Sequence, residues 1–272
     1  MLLLAIIALS NAHVMYSREP VRTWPFELKS ANYIIHSDFP LTDDWLMHEL
    51  KAISVDVATL LEVHPPTQPI HIVLFKTQRE YERYMHAYFP KLPKRRALFI
   101  QDRGPGMLFT HWHAEVAIDV RHEMTHALIN SQHPLPLWLD EGIAEYFELE
   151  RSSRIVAVKR SRQILADLAK GTVSTIESLS RIKELAKFDD HDYLVSWAWI
   201  HFLMHRNTET RQLLIRYLSD LRSGTPQPFS LHRGVENLFP DVREQFLHHF
   251  QSLSAPNSAP RSTQISAKVI AH

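Results

Sequence analysis

Two patterns of apolar residues divide this chain of 272 residues. In the first half, short β-branched runs alternate with stretches in which apolar residues recur every three or four positions. The first pattern predicts strands, and the second predicts helices. The predicted strands span residues 33–37, 69–75, 97–100 and 107–110. The helices predicted among them run from Thr42 toward Glu62 and from about Gln78 to Tyr88.

Only helical spacing remains in the second half of the chain. Helices are predicted at residues 156–170, 193–204, 208–221 and 240–253. Gly171 and Gly224 lie where two of these helices should end, because glycine accepts the left-handed conformation that follows many helices. The patterns together predict an α+β, two-lobed fold. Its N-terminal lobe at 13–130 contains a small sheet, and its C-terminal lobe at 131–253 is helical.

Both ends of the chain differ from the rest. Residues 2–9 form an apolar run that is followed by small residues, which is typical of an export signal. We therefore predict a signal peptide at 1–12 and a periplasmic or secreted protein without a stable membrane span, since eight apolar residues are too few to cross a bilayer. No Lys or Arg precedes the run, and a buried N-terminal strand or helix is the alternative. Residues 254–272 are rich in Ser, Pro, Ala and Thr, and they predict a disordered tail.

Composition narrows the classes of function. Thirty basic and thirty acidic side chains cancel and no basic run stands out, which excludes binding driven by nucleic-acid phosphates. The chain contains no cysteine, so disulfides and thiol catalysis are excluded. The hydrophobic content of 45% is enough for a substantial core, which argues against overall disorder. Nothing in the composition sets an oligomeric state.

The candidate chemistry lies at residues 122–126, which read His-Glu-Met-Thr-His. They belong to an uninterrupted stretch, 116–130, whose apolar spacing predicts a helix. On a helix His122 and His126 are offset by only about 40°, so both imidazoles can reach one metal ion. A catalytic zinc uses three protein ligands and leaves one position for water, which makes Zn²⁺ the expected cofactor. Glu123 is then free to act on that water as a general base.

A second segment, Trp-Leu-Asp-Glu-Gly at 138–142, can supply the third ligand. Two prolines interrupt the chain before it, and residues 138–150 predict a helix. Glu141 and Glu145 lie one turn apart on one face of that helix. We expect Glu141 to be the ligand and Glu145 to orient a ligand histidine, although Glu145 could itself be the ligand.

These two segments resemble the gluzincin branch of zinc metallopeptidases, whose signature is HExxH followed by a Trp-Leu-x-Glu-Gly helix. Over residues 114–148 the chain is particularly similar to small bacterial proteins of the peptidase-MA-like type. The resemblance implies a zincin-like fold, hydrolysis of peptide bonds and Glu141 as the third zinc ligand. It also implies that Tyr193 donates a hydrogen bond to the oxyanion, because residues 192–203 are similar to the segment that carries such a tyrosine in gluzincin aminopeptidases.

The hairpin predicted from residues 97–100 and 107–110 is a candidate for substrate binding. Residues 103–106, Arg-Gly-Pro-Gly, have the turn chemistry that would join its strands. If one strand is an exposed sheet edge beside the site, it could hold an extended peptide by main-chain hydrogen bonds. An ordinary buried hairpin is the alternative. His111 and His113 follow directly, and they are candidates for substrate contact or for structural histidines.

The expected function is zinc-dependent hydrolysis of peptide bonds in a peptide or protein substrate, with Glu123 as general base and Tyr193 as oxyanion donor. A catalytically silent metal-binding scaffold or peptide-recognition protein is the alternative from another class. Hydrolysis of a non-peptide amide is a third hypothesis. The resembled aminopeptidases recognise the substrate amino terminus through Gly-x-Met-Glu-Asn, whereas Leu108 follows Met107 here. Cleavage within a chain and cleavage at its end therefore both remain open.

Overall fold

The computed structural model describes six stretches of the chain, residues 23–41, 44–64, 66–101, 104–130, 135–225 and 230–254. The predicted signal peptide at 1–12 and, apart from Ser254, the predicted tail at 254–272 lie outside these stretches. None of the described helices is long and apolar enough to pass through a lipid bilayer.

The sheet of the described residues is mixed. Its strands are β1 (Phe26–Lys29), β2 (Tyr33–Ser37), β3 (Ile70–Phe75), β4 (Ala97–Ile100) and β5 (Met107–His111), in the order β1-β2-β3-β5-β4. β2, β3 and β5 run parallel in the centre, and β1 and β4 pair antiparallel at the two edges. The four strands predicted from the sequence are confirmed, as is the hairpin of β4 and β5. The sequence does not predict β1, because it is short and its side chains are all exposed.

The helices cover the sheet and form the second half of the chain. They are α1 (Trp45–Leu61), α2 (Gln78–Tyr88), α3 (Val116–Ile129), α4 (Leu137–Phe147), α5 (Arg151–Arg154), α6 (Val158–Lys170), α7 (Ile176–Arg181), α8 (Asp190–His205), α9 (Thr208–Arg222), α10 (Leu231–Leu238) and α11 (Val242–Ser254), with a 3-10 turn at Leu185–Lys187. The predicted helices are confirmed with ends that differ by a few residues. The sequence misses α5, α7 and α10, which are too short for a helical period to stand out. The α+β class is thus confirmed, while the domain boundary at 130 stays a prediction.

Helix α3 lies at the centre of the packing. It contacts β4 and β5 on one side and α1 and α4 on the others. Nearly all of its residues are buried, including Asp119, His122, Glu123 and His126. Burying so many ionisable side chains is unfavourable unless each finds a partner of opposite charge or a metal ion. The environment of α3 therefore marks the candidate site.

Close packing against α8 fixes the position of α4. A Cβ atom added to Gly142 would lie 2.7 Å from the backbone oxygen of Ser196 and 2.9 Å from Cγ1 of Ile200, both on α8. These separations are shorter than van der Waals contact, so α4 and α8 can approach this closely only where no side chain intervenes. The contact lies directly beside Glu141, so the position of α8 limits where α4 can place that side chain.

Candidate metal centre

Three buried side chains converge between α3 and α4. His122 and His126 lie one turn apart on α3, with ring centroids 4.8 Å from each other. Oε2 of Glu141 on α4 lies 3.5 Å from Nε2 of His122 and 3.7 Å from Nε2 of His126. Each residue offers one ligand atom, and these atoms all lie within 4.8 Å of one another. The structure thus brings together the three residues that the sequence predicts as metal ligands.

The donor atoms of this group fit a zinc ion. Nε2 of both histidines and both carboxylate oxygens of Glu141 are buried and have no hydrogen-bond partner among the described residues. Leaving such atoms unsatisfied is unfavourable, and a bound cation would satisfy all of them at once. Ligands about 2.0–2.1 Å from a tetrahedral zinc are separated from each other by about 3.3 Å. The observed nitrogen-to-oxygen distances of 3.5 and 3.7 Å are close to that value.

Carboxylates outside the centre orient both histidines. Nδ1 of His126 lies 2.9 Å from Oδ1 of Asp140, and Nδ1 of His122 lies 2.9 Å from Oε2 of Glu148. Each carboxylate accepts the Nδ1 proton, which leaves Nε2 as a lone-pair donor aimed at the centre. Asp140 also accepts a 2.7 Å hydrogen bond from Nδ2 of Asn130. Both imidazoles are therefore held in the tautomer that a metal ligand requires.

The carboxylate that bonds His122 differs from the sequence prediction. Glu145 lies within 4.8 Å of His122, but its Oε2 pairs with Arg160 at 2.8 Å, and Glu148 makes the bond to Nδ1. The reason is the direction of α4, which runs antiparallel to α3. Asp140 at its start therefore reaches His126, and Glu148, just beyond its end, reaches His122. Sequence reasoning missed both carboxylates, although Asp140 lies within the predicted segment at 138–142.

Glu123 lies beside the three candidate ligands. It is fully buried, and its Oε2 accepts a 2.7 Å hydrogen bond from the backbone nitrogen of Phe99 on β4. Its Oε1 has no hydrogen-bond partner among the described residues. Burial raises the pKa of Glu123 to about 7, against the opposing charges of His126 and His122. A carboxyl group with a pKa near neutrality and one free oxygen is suited to accept and release a proton.

The two histidines are in a strongly negative environment. Burial lowers the pKa of His122, but the carboxylates of Glu141 and Glu148 outweigh it and raise that pKa well above its usual value. Burial likewise opposes the charged form of His126, and Asp140 raises its pKa overall. Excess carboxylate charge around two imidazoles attracts a cation, whether protons or a metal ion.

Tyr193 is buried in the first turns of α8. Burial raises the pKa of its phenol, and the negative charges of Glu141, Glu145 and Glu123 raise it further. The hydroxyl is therefore within electrostatic reach of the centre and remains a neutral hydrogen-bond donor at any ordinary pH. Its role as oxyanion donor stays a prediction.

The hairpin lies beside the centre, and the amide of Phe99 on β4 bonds directly to Glu123. β4 is the outermost strand on its side of the sheet, but its four residues are buried, which fits the alternative of a buried hairpin rather than an exposed edge. His111 is buried against the ring of Tyr81, and Nε2 of His113 lies 2.9 Å from Oδ2 of Asp119. These contacts support structural roles for the two histidines.

A family model and solved structures are similar to this chain. Residues 116–228 match a family model described as a protein of unknown function, DUF1570. No curated protein matches the chain. The M1 zinc metallopeptidase from Deinococcus radiodurans is similar in structure, with a TM-score of 0.42 and 16% identity over 85% of this chain and 52% of that one. A mutant of the same enzyme gives a TM-score of 0.43 and 15% identity over 86% and 52%. The chain spans about half the length of these structures.

Proposed function

We propose that this chain is a zinc-dependent peptidase of the gluzincin type. The observation that carries the proposal is the convergence of three buried residues, His122, His126 and Glu141, whose facing donor atoms have no other partner among the described residues. A structural zinc site is closed by four protein ligands, whereas two histidines and one carboxylate leave a position for water, as in catalytic sites. Glu123 is buried beside His122 on the same helix, which supports its proposed role as the general base for that water.

Each side chain of the candidate site has a separate role in the proposed hydrolysis. Zinc held by the three ligands would lower the pKa of a water molecule and polarise the scissile carbonyl. Glu123 accepts the proton of that water on Oε1 and passes it to the leaving amine, while the Phe99 amide holds Oε2 in place. The hydroxyl of Tyr193 donates a hydrogen bond to the carbonyl oxygen as it gains negative charge.

The four residues of β4 are buried, and the amide of Phe99 already bonds Glu123, so the proposal does not depend on a peptide pairing with this strand. The candidate ligand set and Glu123 support hydrolysis of a peptide or protein substrate, and hydrolysis of a non-peptide amide is the alternative.

Cleavage of an unfolded protein and of a peptide library by zinc-loaded protein, followed by mass spectrometry, tests the proposal. The Glu123→Gln variant should retain zinc and lose about 10²–10⁴-fold in rate. Glu209→Gln, the same substitution at an exposed position of α9, should cleave like the unmodified chain. Full activity of Glu123→Gln would refute its role as base. Stoichiometric zinc without any cleavage would favour the metal-binding scaffold instead.

A further inference from the structure

His122 belongs to two groups of side chains that could hold a cation. The first group is the candidate centre, with His126 and Glu141. The second consists of His122, Glu145 and Glu148, whose ligand atoms also lie within 4.8 Å of one another. We call these three residues the second group. Glu145 is 8% exposed and Glu148 is 9% exposed, so both of its carboxylates are buried.

The two groups face different nitrogens of the His122 ring. Nε2 of His122 lies 3.5 Å from Oε2 of Glu141, whereas Nδ1 lies 2.9 Å from Oε2 of Glu148. A neutral imidazole has one proton and one lone pair, so only one of its nitrogens can bind a metal ion. A metal ion bound to Nδ1 in the second group would leave the proton on Nε2, and the centre would lose a ligand. The two groups therefore compete for one histidine.

Arg160 on α6 supplies the positive charge of the second group. Its Nη2 lies 2.8 Å from Oε2 of Glu145 and also bonds Oε1 of Glu148. In the described stretches, Arg160 is the only lysine or arginine within ion-pairing distance of either carboxylate. Two buried carboxylates side by side are unfavourable unless a cation compensates them. Arg160 thus provides the charge that a metal ion would provide if it bound there.

Further contacts hold the guanidinium of Arg160 in place. Its Nη1 donates a 2.8 Å hydrogen bond to the backbone oxygen of Glu145. Its central carbon lies over the ring of Trp197, 5.4 Å from the ring centroid. A planar guanidinium that donates in fixed directions and lies over an aromatic ring is better held than an ammonium group on a flexible chain. Arg160 is therefore a fixed part of the second group.

Glu148 is held at three points. Nε of Arg121 donates a 2.6 Å hydrogen bond to its backbone oxygen. Its two carboxylate oxygens have different partners, since Oε1 bonds Arg160 and Oε2 bonds Nδ1 of His122. A carboxylate fixed in this way accepts the Nδ1 proton, which leaves the Nε2 lone pair of His122 for the centre. Arg160 acts on the centre through Glu148 and His122.

We propose that Arg160 is a positioning residue that directs zinc to the candidate centre by closing the second group to metal ions. Its guanidinium compensates both carboxylates of that group, so His122 keeps its proton on Nδ1 and offers Nε2 to the centre. The inference rests on the zinc centre of the proposed function. Under it, Glu145 does not compete with Glu141 as the third ligand.

The position of zinc in the Arg160→Gln protein tests the proposal. Gln preserves helix propensity but removes the charge, which leaves two buried carboxylates without a permanent cation. Anomalous diffraction should then show zinc between Nδ1 of His122, Glu145 and Glu148. Crystals of the unmodified chain at the same free zinc concentration should show none there. Zinc confined to the centre in Arg160→Gln, or bound at neither position, would overturn the proposal.

Two matched variants isolate the charge of Arg160. Arg160→Lys retains a cation between the carboxylates, so it should show no zinc in the second group. Arg162→Gln makes the neutral substitution at an exposed position of the same helix, and it should bind zinc like the unmodified chain. Zinc in the second group of either control would contradict the assignment to this charge.

Melting temperatures detect the second group in solution, without crystals of each variant. Zinc at about 100 times its Kd for a new site should raise the Tm of Arg160→Gln by about 5–10 °C more than that of Arg162→Gln, because the site exists only in the folded chain. The double variant Arg160→Gln/Glu145→Gln has one carboxylate fewer to compensate and should lose this additional rise. An equal rise in the single and double variants would refute the role of charge, since lost packing on Trp197 is common to both.

The position of zinc does not depend on turnover, so the two proposals can fail separately. Zinc in the second group of Arg160→Gln, without cleavage of peptides by the unmodified chain, supports the role of Arg160 and contradicts the peptidase function. Cleavage by the unmodified chain, with zinc confined to the centre in Arg160→Gln, contradicts the role of Arg160 alone.

Discussion

Replacing Gly142 by Ala should destabilise the fold and weaken metal binding together. The new methyl group would lie 2.7 Å from the backbone oxygen of Ser196, 2.9 Å from its carbonyl carbon and 2.9 Å from Ile200 Cγ1. Two of these neighbours are backbone atoms of α8, which cannot rotate away as a flexible side chain could. The helices α4 and α8 must therefore separate, and Glu141 moves with α4.

The magnitude follows from two opposing effects. Overpacking against a well-packed core costs about 1–3 kcal/mol, and contact with backbone atoms places this position near the upper end. Ala in a helix interior recovers about 1 kcal/mol relative to Gly. The net loss in the free energy of unfolding is about 2 kcal/mol, which corresponds to a fall in Tm of about 4–8 °C.

Calorimetry and zinc titration measure the two effects separately. The matched control is Gly104→Ala, since a Cβ atom at Gly104 would meet nothing within 4 Å. It should leave both Tm and zinc affinity within error of the unmodified chain. A Gly142→Ala protein that melts at or above the temperature of the unmodified chain would refute the close approach of α4 and α8 as described.

Three further outcomes are expected. Tyr193→Phe should retain zinc and lose about 10²–10³-fold in kcat, the usual cost of removing an oxyanion donor, and unchanged kcat would reject that role. Glu148→Gln should weaken zinc affinity by about 10–100-fold, and equal affinity in a competition with a chelator would contradict its bond to His122. Burial lowers the pKa of His205 to about 4 and that of His249 to about 3, whereas unfolded histidine titrates near 6.5. His201 contacts His249 at 2.9 Å, and burial also holds its pKa well below the usual value. The unfolded chain therefore binds more protons below pH 6.5, and stability should fall by about 1.4 kcal/mol per pH unit for each of these histidines toward pH 4.5. Urea melts measure this slope, and a slope unchanged when His205 and His249 are replaced by Gln would contradict their contribution.

The sequence predicts the parts of this protein that repeat a local pattern. β-Branched runs mark β2, β3, β4 and β5, and spacing of three and four marks the longer helices. Two of the three candidate ligands follow from the same reasoning, because His122 and His126 are four residues apart and therefore lie on one face of a helix. The third candidate ligand, Glu141, can be predicted only from the separate Trp-Leu-Asp-Glu-Gly segment at 138–142.

What the sequence does not predict depends on how the elements cross. Glu148 lies beyond the end of α4, and only the antiparallel packing of α4 on α3 brings it to His122. The close packing at Gly142 involves a residue of α8 more than fifty positions away in the chain. Such features become visible only once the helices are placed.

The coordination of zinc in the purified protein tests the central claim most directly. Anomalous diffraction from zinc-loaded crystals should show one zinc ion per chain within about 2.2 Å of Nε2 of His122, Nε2 of His126 and a carboxylate oxygen of Glu141. Zinc absent from this position, or held there without Glu141, would contradict the account.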